Sequence, residues 1–346
     1  MESLLILTHA DESGAALTRG SLEAITAGKA LAGRLNAPLA IGIIAANPQP
    51  LSKGLPPAGP KLFAVQGDAF AQPRYASDAA ACEALCRAAN ATIVLAPHGS
   101  RFARVMAGVA HRLSGVIDTH VAAINLPPGG AEFIEVTRWF YRQRIEAVIT
   151  RDERPWFLLL DAGTYEPFAA TAIGGANVET IPVNLPALRT QVAGTRTPQK
   201  DQETIRPDAK MLFVAGAGWT KKQPDGQIHV GEAAALILEF LSVSGASLGS
   251  SKSLVDQGGD GGSALPFLTH LNQVGQTGST PRHAKGLATC CHGEEPHVVG
   301  WRFIGERRAI SLDPNCGWTR GKADVVYIAD AFKVIERVNE LLKAGS

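Results

Sequence analysis

The chain has 346 residues, about twice the length of a usual domain, so two domains with separate cores are expected and one small module is excluded. Charged residues make up 19%, and the 33 basic and 32 acidic side chains leave a formal charge of +1, which gives no support to binding of nucleic acid or of an anionic membrane. Since no apolar run reaches roughly 18 residues and Glu2 lies where a targeting peptide would be basic, we expect a cytoplasmic protein without an integral membrane segment.

The N-terminal half alternates short apolar runs with helical patterns, which is typical of a sheet whose strands are buried on both faces. In chain order the pattern predicts a strand at 4–7, a helix through Leu22, Ile25, Ala32 and Leu35, strands at 38–44 and 62–65, a helix at 77–89, a strand at 92–96, and a helix through Phe102, Val105, Val109 and Leu113 with Ser100 as its N-cap.

The character of the chain changes between residues 132 and 185, where apolar residues lose their helical period and indicate strands. We therefore predict a first domain at 1–189. Residues 190–208 are polar and contain Pro198 and Pro207, a composition that is typical of a linker.

A second α/β cycle is predicted over 209–346. Its elements are strands at 211–215, 308–312 and 325–328, a helix at 232–241, and a closing amphipathic helix through Phe332, Ile335, Val338 and Leu342. Between them, residues 244–263 are rich in glycine and serine. Such a stretch in a domain core commonly lines a ligand, because backbone amides can approach the ligand closely.

Common nucleotide and catalytic motifs are mostly missing from the sequence. The segment Gly216-Ala217-Gly218 follows a predicted strand, as a dinucleotide fingerprint would, but Lys221 replaces the small residue that close helix packing requires. The sequence contains no P-loop, no Gly-x-Ser-x-Gly elbow and no His-Glu-x-x-His pair.

The five cysteines are odd in number and sparse, so reduced thiols are expected rather than a disulfide framework. A zinc or iron–sulfur centre must be weighed, and its candidate ligands are Cys82, Cys86, Cys290, Cys291, His292, His297 and Cys316. The absence of Cys-x-x-Cys spacing favours buried structural thiols, although a metal held by Cys290, Cys291 or Cys316 stays open. His98, His111 and His120 are interpreted as capping or surface histidines.

Four segments of the second half carry distinctive residues, namely 249–256, Gln273-Val274-Gly275-Gln276-Thr277-Gly278, 290–297 and 309–314. Taken in chain order, they resemble the flavin-binding domain of the electron transfer flavoprotein α subunit. Family members carry Gly-x-Ser-Arg, Gln-Val-Gly-Gln-Thr-Gly, Gly-Ile-Ser-Gly-Ala-Ile-Gln-His and Ile-Asn-Lys-Asp-Pro there, and the hexapeptide is specific. A weaker similarity at 11–14, 94–97 and 118–121 to the family's partner-facing domain extends the resemblance over nearly the whole chain.

The resemblance implies an α/β protein of two domains, an N-terminal adenine-nucleotide-hydrolase-like sheet domain that faces the partner and a C-terminal parallel-sheet FAD-binding domain. It further implies an α subunit that carries FAD and shuttles electrons from dehydrogenases toward a quinone reductase, as a heterodimer with a β subunit. AMP, if present, is expected in the β subunit. The protein would then be an electron carrier with no catalytic residues and no metal, and it would not act on a substrate of its own.

The resemblance also assigns cofactor contacts residue by residue. The implied FAD-binding residues are Ser251, Lys252, Gln273, Val274, Gly275, Gln276, Thr277, Gly278, His292, Gly293, His297, Ser311 and Asp330. Ser251 and Lys252 would flank the isoalloxazine, Thr277 would approach N5, and His297 would lie near the N1 and C2 carbonyl edge, where a donor stabilises negative charge. The turn at His292 and Gly293 would offer amides to the pyrophosphate. Ser311 and Asp330 would lie near the adenosine.

Several positions depart from the family pattern. Lys252 replaces an arginine and keeps the charge without the planar guanidinium, and the segment Gly216-Ala217-Gly218-Trp219 lacks the arginine of the family's Gly-Gly-Arg-Gly. Glu294 and Glu295 fall close to the expected pyrophosphate, which two carboxylates would repel unless they face solvent. These departures leave an alternative open, a flavin-free paralogue that acts as a nucleotide-binding or assembly subunit.

Overall fold

A computed structural model describes residues 2–53, 55, 59–126, 133–141, 145–169, 177–194, 205–207, 209–256, 265–275, 280–289, 303–314 and 323–344. The chain divides into two compact units, Met1–Thr195 and Arg196–Ser346, and the division falls inside the segment predicted as a linker. Each unit is an α/β layer structure with its own sheet, in agreement with the fold class expected from the sequence. No helix within the described ranges is both long enough and apolar enough to cross a bilayer.

The first unit contains nine strands and four α-helices within its described residues. In chain order they are β1 Leu4–His9, α1 Arg19–Leu35, β2 Leu39–Ala45, α2 Gln49–Ser52, β3 Lys61–Gln66, α3 Tyr75–Ala88, β4 Ile93–Pro97, α4 Ser100–Arg112, β5 Val116–Asn125, β6 Glu135–Phe140, β7 Ile145–Ile149, β8 Trp156–Leu160 and β9 Val178–Thr180.

The strands of this unit form one mixed sheet in the order β7-β6-β5-β8-β4-β1-β2-β3-β9. Neighbouring strands in the row β5-β8-β4-β1-β2-β3-β9 all pair in parallel, and β6 and β7 add an antiparallel edge beside β5. Buried apolar residues cover both faces of the sheet, since Leu4 and Ile6 belong to one core cluster and Leu5 and Leu7 to the other. This arrangement explains why β1 is an unbroken apolar run.

Most predicted elements of the first unit are confirmed, with two corrections. Gly99, in extended conformation, is the N-cap residue of α4, and Ser100 is already helical, so the predicted serine cap is wrong. Residues 118–121, whose similarity to the family implied a turn, lie inside β5, where a bulge shifts the register between Asp118 and Val121. Polar residues hide this strand in the sequence, because Asp118 and His120 interrupt its apolar pattern.

The second unit contains five described strands, and its elements are β10 Met211–Ala215, α5 Val230–Ser244, β11 Ser247–Ser250, α6 Lys252–Asp256, β12 His283–Thr289, β13 Ile304–Ser311, β14 Val325–Ile328 and α7 Ala331–Ala344. All strand pairs in it are parallel, in the order β11-β10-β12-β13-β14. The sequence pattern missed β11, which lies in the glycine-rich stretch, and β12, whose apolar period is interrupted by Lys285 and Gly286.

Candidate functional site

The strand order of the second unit defines where a ligand is expected. Strand β10 lies between β11 and β12, so the chain moves to one side of β10 first and to the other side afterwards. In open parallel sheets, ligands bind at the carboxyl ends of the strands beside such a reversal. The candidate site is therefore the carboxyl edge around β10, β11 and β12.

The carboxyl end of β10 continues into a short 3₁₀ helix, Ala217–Thr220, which is bonded to β12. The Gly216 N–H donates to the Thr289 carbonyl at 2.9 Å, and the Trp219 indole N–H donates to Thr289 Oγ1 at 2.8 Å. Thr289 in turn donates to the Val214 carbonyl at 3.1 Å. Because Trp219 is fully buried and its indole is hydrogen-bonded, it acts as a core anchor rather than as an exposed ring.

Ser251 and Lys252 lie where β11 ends. The Ser251 N–H donates to the Ala215 carbonyl at 2.9 Å, and its hydroxyl accepts a hydrogen bond from the Leu254 N–H at 3.3 Å. Lys252 begins α6, keeps 52% of its side chain exposed, and has its ammonium nitrogen 3.8 Å from Asp256 Oδ2. Lys252 is thus a weakly paired cation beside the edge that the sequence analysis assigned to the isoalloxazine.

The first half of the hexapeptide 273–278 packs against this edge. Gln273 forms a parallel bridge with Ser250, and the Val274 N–H donates to the Ser250 carbonyl at 3.1 Å. A Cβ atom at Gly249 would lie 2.6 Å from Val274 Cγ2, so only glycine admits this approach. Gly275 has a φ of +83°, a left-handed conformation that favours glycine, and its N–H donates to Thr280 Oγ1 at 2.8 Å.

Ser311 and Asp330 lie together at the other side of the sheet, where β13 and β14 end. Ser311 is fully buried, its hydroxyl accepts a hydrogen bond from the Asp313 N–H at 3.2 Å, and its carbonyl accepts one from Ala329 at 3.1 Å. Asp330 accepts a hydrogen bond from the Phe332 N–H at 2.9 Å and lines a cavity of about 390 Å³ with His229 and Lys333.

The distance along this edge is large. Four inter-strand steps of about 4.8 Å separate β11 from β14, which places their carboxyl ends about 19 Å apart. Ser251 with Gln273, Val274 and Gly275 therefore forms one group, and Ser311 with Asp330 forms another. The remaining assigned residues, Gln276, Thr277, Gly278, His292, Gly293 and His297, lie outside the described residues, as do Cys290, Cys291 and Cys316.

A buried polar atom tests whether this edge fits a cofactor. Ser250, the last residue of β11, is 1% exposed, and within the described part of the chain its hydroxyl has no hydrogen-bond partner. An unpaired buried hydroxyl costs about 1–3 kcal/mol, so native proteins keep one where a ligand or water completes it. Together with the glycine backbone beside it, this hydroxyl fits a polar ligand such as a flavin nucleotide.

Cys82 and Cys86 are buried in α3, as structural thiols would be. Burial raises the pKa of both thiols well above the usual range of cysteine, so neither is a reactive thiolate. Both are free thiols.

The first unit has a polar cluster that the sequence analysis did not connect. His98 Nδ1 lies 3.0 Å and His120 Nδ1 lies 3.2 Å from Asp161 Oδ1. Burial opposes ionisation of Asp161, but hydrogen bonds from His120 and His98 outweigh it and hold the pKa of Asp161 below its usual value. His98 and Asp161 each follow a buried strand directly, a signal that could have indicated their proximity.

Comparison with known proteins agrees with the sequence resemblance. The family model described as "Electron transfer flavoprotein domain" matches residues 6–186. A protein of Clostridium acetobutylicum named "Electron transfer flavoprotein subunit alpha" is 22% identical over 99% of this chain and 97% of its own length. A protein of the same name from Thermoanaerobacterium thermosaccharolyticum is 32% identical over 31% of this chain and 30% of its own.

Proposed function

Since this chain belongs to the electron transfer flavoprotein family and aligns over nearly its whole length with an α subunit, we propose that it is such a subunit, carrying FAD in residues 209–346 and pairing with a β subunit. The heterodimer would accept electrons from a dehydrogenase and deliver them to a quinone oxidoreductase. The observation that carries the proposal is the edge of the second sheet, where Ser250 keeps a buried hydroxyl without a described partner beside Gln273, Val274 and Gly275.

The length of the edge supports a dinucleotide in particular. The group at Ser251 and the group at Asp330 lie on strands about 19 Å apart, and an extended dinucleotide can occupy both ends of such an edge. We therefore propose that the flavin ring binds beside β11 and that the adenosine binds beside β14, near Ser311 and Asp330.

FAD supplies the one- and two-electron chemistry of its isoalloxazine ring, and the chain's residues would orient and bias that ring. Lys252 would hold a positive charge beside it, Thr277 would offer a hydroxyl toward N5, and His297 would donate to the N1 and C2 carbonyl edge. Ser251, Gln273 and the backbone of Gly275 would fix its position, and amides at His292 and Gly293 would bind the pyrophosphate. None of these roles requires acid or base catalysis on a substrate.

The proposal is tested by co-expressing the chain with a β subunit and analysing the purified complex. We expect a visible flavin absorbance and about one FAD per complex after extraction and chromatography. A complex that yields AMP alone, or no nucleotide, would instead favour the flavin-free paralogue, and a failure to form any complex would contradict the assignment as an α subunit. Chromatography of the same extract distinguishes FAD from any AMP that the β subunit holds.

The proposed position of Lys252 has its own test. Lys252→Gln removes a positive charge beside the flavin, and we expect the reduction potential of the complex to fall, because the negative charge of the reduced ring loses a stabilising cation. Lys285→Gln is the matched control, since Lys285 is an exposed lysine of β12 far from the strand's carboxyl end. Equal reduction potentials in the two variants would show that Lys252 does not lie beside the flavin.

A further inference from the structure

The histidine cluster of the first unit is built by three neighbouring strands. His98 follows β4, Asp161 follows β8, and His120 lies in β5, and these strands pair in the parallel register that aligns Pro97 with Leu160 and Leu160 with Val121. All three side chains therefore reach the carboxyl edge of the sheet, the edge at which parallel α/β sheets bind ligands.

The backbone at His120 is held in an uncommon conformation. His120 has a φ of +57°, inside the left-handed region, and it lies in the bulge that shifts the register between Asp118 and Val121. A side chain larger than glycine adopts this region only at an energetic cost, and such strain concentrates at functional sites. Without the bulge, the alternation of β5 would direct residue 120 differently, so the bulge is what aims the imidazole at Asp161.

The backbone around the cluster is fixed by hydrogen bonds on each side. The His98 N–H donates to the Leu160 carbonyl at 2.7 Å, and the Asp161 N–H donates to the Val121 carbonyl at 3.0 Å. The following turn is fixed as well, because the Thr164 hydroxyl donates to the Asp161 carbonyl at 2.8 Å and the Gly163 N–H donates to Glu23 at 2.8 Å. The cluster is therefore preorganised by its surroundings.

The spacing of the three side chains matches a metal-ligand set. One ligand atom from each of His98, His120 and Asp161 lies within 4.8 Å of the other two, and both imidazole nitrogens are 3.0–3.2 Å from the same carboxylate oxygen. Ligands at about 2.1 Å from a tetrahedral zinc ion are about 3.4 Å apart. Each imidazole nitrogen is already within about 0.4 Å of that spacing from the Asp161 oxygen, and rotation of the imidazole rings can adjust the distance between the two nitrogens.

We infer that His98, His120 and Asp161 bind a divalent transition-metal ion, and we use Zn²⁺ as the ion against which the site is tested. Two imidazoles and one carboxylate suit Zn²⁺ better than Mg²⁺ or Ca²⁺, which prefer all-oxygen sites. A carboxylate only accepts hydrogen bonds, so each Nδ1 that bonds to Asp161 does so as a donor, and ligation through Nδ1 requires that proton to leave this nitrogen. With three protein ligands, a fourth position is left for water or another donor.

The experiment titrates Zn²⁺ into the full-length chain, freed of metal by chelation, in competition with a chromophoric chelator. We expect one equivalent to bind, and we expect His120→Asn and Asp161→Asn each to weaken binding by at least about 100-fold, since removal of a ligand exceeds the effect of removing its outer partners. Asparagine at position 120 tolerates the positive φ, and circular dichroism melts verify that both variants fold. His111→Asn, on an exposed histidine of α4, is the matched control and should bind like the unmodified chain.

Cobalt provides an independent reading of the ligand set. Co²⁺ bound by two imidazoles and a carboxylate gives visible d–d bands without the strong near-ultraviolet band of cysteine thiolate. The inference is overturned if the chain does not compete with the chelator for Zn²⁺ or if both variants bind Zn²⁺ like the control. It is also overturned if a thiolate band shows that cysteines bind the cobalt ion. Flavin content of the complex should be the same in His120→Asn and in His111→Asn, so this inference fails or holds independently of the proposed electron-transfer role.

Discussion

The two units present the carboxyl edges of parallel strands in opposite states. In the first unit, the polar groups at and below the edge bond to one another, as His98 and His120 do to Asp161 and as Arg19 does to Glu23. In the second unit, Ser250 keeps a buried hydroxyl that no described residue satisfies. The two edges therefore differ in the absence of a ligand: the polar groups of the first bond to one another, whereas a buried hydroxyl of the second has no described partner.

The same contrast extends below the edge. Asp118 in β5 is fully buried and accepts hydrogen bonds from Arg138, Arg151 and the Trp156 indole, at distances of 2.6–3.0 Å. The second sheet instead ends in β14, where Val325, Tyr327 and Ile328 are each more than a third exposed within the unit. Substitutions in the buried Asp118 network should therefore affect stability, whereas substitutions at either carboxyl edge should affect ligand binding.

The largest effect is expected at Asp118. Asp118→Asn removes the charge that compensates two guanidinium groups, and breaking a buried ion pair typically costs about 3–5 kcal/mol. We expect the free energy of unfolding of the first unit to fall by that amount in urea titrations followed by tryptophan fluorescence. Asp152→Asn, at an exposed aspartate, is the control. A loss below about 1 kcal/mol would mean that water already screens this network.

The second effect is a pH dependence at His9, which ends β1. Burial lowers the pKa of His9 to about 4, and the nearby Arg101 charge acts in the same direction. The folded state therefore keeps the ring neutral between about pH 6.5 and pH 4, whereas the unfolded chain takes up a proton there, so stability decreases as the pH falls through this window.

His9→Asn measures this contribution, because asparagine keeps a donor for the Ala10 carbonyl, which lies 2.8 Å from His9 Nδ1, but does not titrate. Between pH 7 and pH 4, we expect the unmodified chain to lose about 3 kcal/mol of unfolding free energy relative to this variant. If the unfolding free energies of the unmodified chain and of His9→Asn change in parallel with pH, His9 is not buried in the neutral state.

The third effect concerns the close approach of Gly249 to the hexapeptide. Gly249→Ala puts a Cβ 2.6 Å from Val274 Cγ2, and overpacking of this kind costs about 1–3 kcal/mol. Because the displaced segment is 273–275, we expect the purified complex to contain less flavin as well. Gly231→Ala is the control, since nothing lies within 4 Å of its added Cβ and it occupies helix α5. Full flavin content in Gly249→Ala would show that residues 273–275 do not contribute to flavin binding.

The smallest effect is expected at Ser250, where the sign of the change in unfolding free energy is informative. Ser250→Ala removes a hydroxyl that has no described partner, so in the flavin-free chain we expect unfolding free energy to stay constant or to rise by up to about 1 kcal/mol. Flavin binding should weaken at the same time. Ser247→Ala gives the opposite pattern, because the Ser247 hydroxyl accepts a hydrogen bond from the Arg206 N–H at 2.8 Å and its loss should destabilise. A destabilised Ser250→Ala would show that the hydroxyl already has a partner.

Whether a strand could be predicted from the sequence depends on the residues that form it. Apolar runs such as 4–7 and 211–215 predicted strands correctly, because strands buried on both faces must be continuously apolar. Strands β5 and β11 were missed, because Asp118 and His120 interrupt one and glycine and serine make up most of the other. Functional polar residues thus conceal the very strands that position them.

The sequence by itself determined the family and the order of the segments proposed to bind FAD, because an ordered set of short motifs requires no knowledge of which strands are neighbours. Only the tertiary structure decided that His98, His120 and Asp161 meet, and that Ser250 lies beside Gln273 without a described partner for its hydroxyl. The physical reason is that strand order and a local bulge set those distances. Neither the order of non-consecutive strands nor a one-residue shift in register leaves a periodic signal in the chain.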